Sequence, residues 1–151
     1  MNMGDISSPF FFAICYPRRL FAYSRIEADN WRRMKGDGRV AELSEKSIQL
    51  DEAQLTYVEA GSGQPVIFIH GGLGDYRVWS SQMEPFSKQY HVIAYSRRFA
   101  WPNKSKGDYS GDNIPENAQD LAGLIDKLGV APAHIIGHSY GAFTALWYAQ
   151  Q

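Results

Sequence analysis

The sequence predicts an α/β domain, a mostly parallel sheet with helices on both faces. Three observations lead there. From Ser47 onward, short apolar runs alternate with segments of helical period. The runs "PVIFIHG", "HVIAY" and "AHIIG" are apolar at consecutive positions, the pattern of strands buried on both faces. The order is two antiparallel-type strands followed by β-α-β-α-β-α, and such alternation implies parallel strands joined by crossover helices.

Each element has its own justification. "SIQLDEAQLTYVEAG" reads as a short strand, a turn near Asp51 and Glu52, and a second strand ending at Gly61. "GSG" is a turn, and "PVIFIHG" is a buried strand between Pro65 and Gly71. In "YRVWSSQMEPFSKQY", the residues Trp79, Met83, Phe86 and Tyr90 fall on one helical face, and Pro85 should bend or shorten that helix. "HVIAY" is the next strand. "SRRFAWPNKSKGDYSGD" reads as a long polar loop. The helix after it has the clearest signals. Asn113 can cap it with Glu116 three residues on, Ile114, Ala118, Leu121, Ile125 and Leu128 share a face, and Gly129 stops it. "AHIIG" is the last strand. "YGAFTALWYAQQ" reads as a helix apolar on nearly every side, which predicts burial.

Residues 1–44 show no sustained period. They are expected to be an N-terminal extension, poorly ordered, ahead of a domain over 45–151. Fifteen basic and sixteen acidic residues nearly cancel, which argues against nucleic acid and for a small-molecule substrate as partner. Cys15 is the only cysteine, so an internal disulfide and a cysteine-rich zinc site are excluded. No run is long enough for a membrane span; "PFFFAICYP" is far short of about 20 residues. A cytoplasmic location is expected. The alternative is a mitochondrial presequence, because Arg18, Arg19 and Arg25 precede Glu27 with only Asp5 upstream.

The chemistry concentrates in Gly137-His138-Ser139-Tyr140-Gly141, where a buried strand meets a helix. A tight strand-to-helix turn forces its central residue into a strained backbone geometry. Small residues two before and two after leave room for it. The Ser139 hydroxyl would then project above the sheet, and the Tyr140 N–H at the helix start would point toward the same place. That amide and the helix dipole both favour developing negative charge. "FIHGGLGDY" offers a second amide, that of Gly72, in a loop folded over the end of an earlier strand. Gly-x-Ser-x-Gly on its own is a weak signal, and the alternative is a polar residue in a glycine-rich connection. Two such motifs at the carboxyl ends of parallel strands point to a ligand site.

With "VIFIHGGLG" and "GHSYG" at this spacing and in this strand order, residues 45–151 resemble the N-terminal half of an α/β-hydrolase. The fold expected is therefore an incomplete α/β-hydrolase core, with later strands and lid missing. The resemblance implies that Ser139 is the nucleophile and that the backbone N–H groups of Gly72 and Tyr140 form the oxyanion hole. No metal or organic cofactor is implied. A serine at that position disfavours epoxide-hydrolase or dehalogenase chemistry, which uses an aspartate in related folds. One motif departs from the family: Ser96 stands where an acid is usual and paired glycines are absent, while Arg97 keeps the arginine position. Trp101 and Phe99 in that loop are expected to pack beneath it, with a place in an apolar pocket as the alternative.

The family's acid and histidine follow the serine in chain order, so both are expected to be absent from this chain. The four histidines, His70, His91, His134 and His138, are not expected to serve as the base. His70 is expected to pin the Gly71–Gly72 loop by hydrogen bonding. The final strand is expected to present an open parallel edge. The resulting expectation is a serine hydrolase that cleaves ester-like acyl bonds of a small molecule through an acyl-enzyme. The 151-residue chain would be a fragment inactive alone. The alternative is a non-catalytic ligand-binding protein on the same fold.

Overall fold

The computed structural model describes residues 43–103 and 112–151, together with the backbone strand at 11–13. Six strands form one sheet. They are β1 (Phe11–Ala13), β2 (Lys46–Gln49), β3 (Gln54–Ala60), β4 (Pro65–Ile69), β5 (His91–Tyr95) and β6 (His134–Gly137). The spatial order is β1-β6-β4-β5-β3-β2. β1, β6, β4 and β5 run parallel, and β3 and β2 continue the sheet antiparallel. The helices are α1 (Ser80–Ser87), preceded by a 3₁₀ turn at Tyr76–Trp79, α2 (Ile114–Leu128) and α3 (Tyr140–Ala149). None of them is long and apolar enough to cross a membrane.

The two faces of the sheet divide as strand alternation requires. Val58, Val66, Phe68, Val92 and Ala94 face α1, where Tyr76 and Met83 complete the cluster. The predicted helical face closes on Phe68, with Trp79 stacked on it at 4.7 Å and Phe86 edge-on at 5.3 Å between ring centres. On the other face, Leu55, Ile67, Ile69, Ile93, Tyr95 and Ile135 pack under Leu121, Leu124 and Ile125 of α2 and Ala145 of α3. The sheet is thus covered on both sides, as the continuous apolar runs predict.

The ends of α2 also match expectation. Asn113 accepts a hydrogen bond from the Glu116 N–H at 3.0 Å, and Gly129 closes the helix in the left-handed region at φ 65°. The reciprocal half of the capping box is replaced: the Glu116 carboxylate pairs with Arg98 at 3.1 Å. Pro85 lies inside α1, which is only eight residues long, so the expected shortening is found.

Two expectations need revision, and a third, the burial of the last helix, is met on one side only. The loop after β5 is not a solvated connection, because Ser96, Arg97 and Arg98 are all buried. Asn103 folds it back, donating to the carbonyls of Ser96 and Arg97 and accepting from the Thr56 N–H at 2.8 Å. Helix α3 is not enclosed. Phe143 is 63% exposed, and Leu146 and Trp147 are also open, while Gly141, Thr144 and Ala145 form its covered side. The edge of β6 is paired over Ile135–Gly137 by β1, which comes from within the expected extension. The rest of residues 1–42, and residues 104–111 of the loop, lie outside the described residues.

Candidate active site

The strand β6 runs into α3 through one residue, Ser139, whose backbone sits at φ 52°, ψ −118°. It is the non-glycine residue with positive φ among those described. Such a conformation is costly for a side-chain-bearing residue and persists only where surroundings enforce it. Those surroundings are glycines. A Cβ on Gly137 would stand 2.6 Å from the Ala142 nitrogen, and one on Gly141 would stand 2.6 Å from the His70 carbonyl oxygen. Strand, turn and helix are therefore pressed together with no space for a methyl group, as Gly-x-Ser-x-Gly predicts. Hydrogen bonds from His138 N–H to the Ile69 carbonyl (3.0 Å) and from Gly141 N–H to the His138 carbonyl (2.9 Å) lock the turn onto the end of β4. Ser139 is exposed, and its hydroxyl has no hydrogen-bond partner among the described residues.

The loop after β4 lies directly over this turn. A Cβ built on Gly71 would be 3.4 Å from the Cβ of Ser139 and 3.0 Å from Nδ1 of His138. Gly72 follows, exposed, with open space where its Cβ would be. Neither the Gly72 nor the Tyr140 N–H is used in a hydrogen bond among the described residues. For Tyr140 this follows from its place as the first residue of α3, where an amide has no intrahelical acceptor.

What holds the Gly71–Gly72 loop is visible in its carbonyls. The Gly71 oxygen accepts from His70 Nδ1 at 2.7 Å, from Arg97 Nη2 at 3.3 Å and from the Gly74 N–H at 3.3 Å. His70 is fully buried, and its Nε2 accepts the Arg97 backbone N–H at 3.0 Å. The proton must therefore sit on Nδ1. Burial first, and the nearby Arg97 guanidinium second, hold the ring neutral and push its pKa down to about 4. His70 thus pins the loop, as expected from the sequence.

The remaining histidines stand elsewhere. His91 pairs with Glu59 across β3 and β5 at 2.8 Å. His134 begins β6, about 15 Å from Ser139 by strand rise. His138 is exposed beside Ser139. Among the described residues, no imidazole is hydrogen-bonded to the serine.

In sequence, Arg97 stands out only because it keeps the arginine position of the family's loop; its contacts arise in the fold. Its side chain reaches Asp112 at 2.8 Å and Asn117 at 3.3 Å through Nη1, and it stacks on the Tyr140 ring at 4.5 Å. Tyr140 in turn donates its hydroxyl to the Asp112 carbonyl at 2.8 Å. Arg98 forks onto both oxygens of Asp120 at 2.8 Å. The available signal was a pair of adjacent arginines followed by Asp112, Glu116, Asn117 and Asp120, the last two polar positions flanking the apolar stripe of α2.

Beside the Gly72 loop is a cleft of about 260 Å³, lined by Gly72, Leu73, Asp75, Arg97, Phe99, Trp101 and Asp112 among others. Trp101 and Phe99 therefore line a cleft rather than only packing under their loop. Trp101 is half-exposed and carries the Arg77 guanidinium over its ring at 3.9 Å. The cleft is not purely apolar, because Asp75, Arg97 and Asp112 contribute to its wall. Among the described residues, no three His, Cys, Asp or Glu side chains gather as a metal site.

A mostly parallel sheet layered between helices, with a strained serine turn and a glycine loop meeting at its strand ends, defines the class of fold. The sequence profile of the alpha/beta hydrolase fold matches residues 64–151, and the chain belongs to that family. It is 35% identical over 118 residues to the 2-hydroxy-6-oxo-6-phenylhexa-2,4-dienoate hydrolase of Comamonas testosteroni, covering 74% of this chain and 39% of that protein. It is 27% identical over 108 residues to the soluble epoxide hydrolase of Corynebacterium sp. strain C12, covering 72% of this chain and 37% of the relative. Among solved structures, a membrane phospholipase A described as a bacterial virulence factor superimposes with a TM-score of 0.69 at 27% identity. That match covers 82% of this chain and 40% of the other. The chain thus spans well under half the length of these relatives.

Proposed function

We propose that this protein is a serine hydrolase that cleaves an ester-like or related acyl bond of a small molecule through an acyl-enzyme on Ser139. The observation that carries the proposal is the strained, exposed Ser139 lying under a loop whose Gly72 N–H is unused, next to the unused N–H of Tyr140. Attack by the Ser139 oxygen on a carbonyl would place negative charge on the former carbonyl oxygen. The two amides and the α3 dipole would stabilise that charge. The carbonyl re-forms as the alcohol or amine leaves with a proton, and water then hydrolyses the acyl-serine.

The proton transfers need an imidazole positioned by an acid. We assign neither role to a residue of this chain: His70 is sealed behind its own hydrogen bonds, and His91 and His134 stand away from the serine. The named activities of the relatives fit hydrolysis in general, and the choice of bond is part of the proposal.

The test is hydrolysis of p-nitrophenyl esters of graded acyl length by the protein at its natural length. A pre-steady-state burst of about one equivalent of nitrophenol is expected, because nitrophenol leaves readily on acylation and hydrolysis of the acyl-serine is then the slower step. The burst should vanish in Ser139→Ala. Turnover that survives in Ser139→Ala would overturn the assignment. Ligand binding without any turnover would point instead to the non-catalytic alternative.

A further inference from the structure

We infer that Arg97 is a positioning residue that sets the direction of the Gly72 amide by gripping the carbonyls on either side of it. The inference rests on the reading of that amide as an oxyanion donor.

A trans peptide is planar, and its C=O and N–H point in opposite directions. The Gly72 N–H belongs to the same peptide as the Gly71 carbonyl. That carbonyl is drawn toward Arg97 Nη2 (3.3 Å) and His70 Nδ1 (2.7 Å). The N–H is therefore turned away from both, toward the open side of the loop. Arg97 Nη2 also lies 3.5 Å from the Gly72 carbonyl oxygen, at the outer limit of a hydrogen bond. Glycines at both positions make such control necessary, since a glycine peptide rotates with little steric penalty.

The same guanidinium carries the link to the serine turn. Its Nη1 is held by Asp112 and Asn117, and its face lies on the Tyr140 ring, whose backbone N–H is the second donor. One planar group thus touches both the Gly71–Gly72 loop and the side chain of the residue that carries the second amide. Lysine could not do this, because an ammonium offers a single point of charge in place of two separated N–H pairs. Arg97 is 3% exposed, so most of this charged side chain sits inside the protein, at the wall of the cleft.

The test uses the protein at its natural length and the variants Arg97→Lys and Asp112→Asn. The first keeps the charge and loses the fork; the second weakens the anchor at a partly exposed carboxylate and keeps the fold if the first does not. For p-nitrophenyl acetate, kcat should fall about 10- to 100-fold in Arg97→Lys, with KM changed less than about threefold, because a donor felt mainly in the transition state is misaimed. The inhibition constant of phenylboronic acid, whose tetrahedral adduct carries an oxygen in the oxyanion position, should rise in parallel. A readout independent of turnover is the Gly72 amide cross-peak in ¹H–¹⁵N spectra, which should shift or split in both variants while the remaining cross-peaks keep the dispersion of a folded protein. An unmoved Gly72 cross-peak together with unchanged kcat would overturn the inference. If the wild-type protein proves not to be acylated at Ser139, the proposed function fails on its own, and the Gly72 cross-peak still decides whether Arg97 governs that amide.

Discussion

Gly141 of α3 lies so close to His70 at the end of β4 that an added methyl group would sit 2.6 Å from the His70 carbonyl oxygen. This contact sets the height of the Ser139 turn above the sheet. The obstacle is backbone, which cannot swing aside as a side chain can. Gly141→Ala and Gly137→Ala should each destabilise the protein by about 1–3 kcal/mol, the usual cost of overpacking. Gly72→Ala should leave stability unchanged, since its Cβ would meet nothing within 4 Å. Urea midpoints of the three variants check this. Equal losses at all three positions would contradict it.

Arg98 and Asp120 form a bidentate pair, both largely buried, between the β5 loop and α2. Breaking a buried pair strands the partner charge. Asp120→Ala should therefore cost about 3–5 kcal/mol, toward the lower end because Glu116 still reaches Arg98 at 3.1 Å. The exposed Lys88–Glu84 pair at 3.7 Å is the control, where removal should cost less than about 1 kcal/mol. Thermal unfolding of the two variants side by side measures the contrast.

His70 predicts a pH dependence of stability. Its pKa is about 4 when folded, against an ordinary 6.5. Between those values the unfolded chain binds the extra proton, so stability rises with pH across that window. It is complete above about 6.5 and is lost as pH falls toward 4. The full contribution is about 3 kcal/mol. Denaturant titrations at several pH values should show this slope, and His70→Asn should flatten it. An equal slope in the variant would show that other groups cause it.

Much of this architecture was legible because local signals and global packing agree. Asn113 and Gly129 mark the ends of α2 through capping chemistry that depends on few distant contacts. The runs at Val66–Ile69 and Val92–Tyr95 are apolar throughout because both sheet faces are covered. Gly137, Ser139 and Gly141 were readable because steric crowding at one turn selects residue type directly.

The β5 loop was not legible for the opposite reason. Arg97 and Arg98 look solvated in sequence, and their partners, Asp112, Asn117 and Asp120, arrive only when α2 folds across the sheet. Strand β1 is three residues, too short for a period to show, and it pairs with β6 from the far end of the chain. The composition of α3 predicts burial, yet Phe143 and Trp147 are exposed among the described residues. Amino-acid type records that a surface is apolar and not which segment covers it.

The most direct measurement is covalent labelling of the protein at its natural length with a fluorophosphonate, followed by peptide mapping of the adduct. A single phosphonyl group on Ser139, absent in Ser139→Ala, is the expected result. An unlabelled Ser139 in folded protein, or an adduct mapped to another residue, would show that the strained turn does not carry the nucleophile.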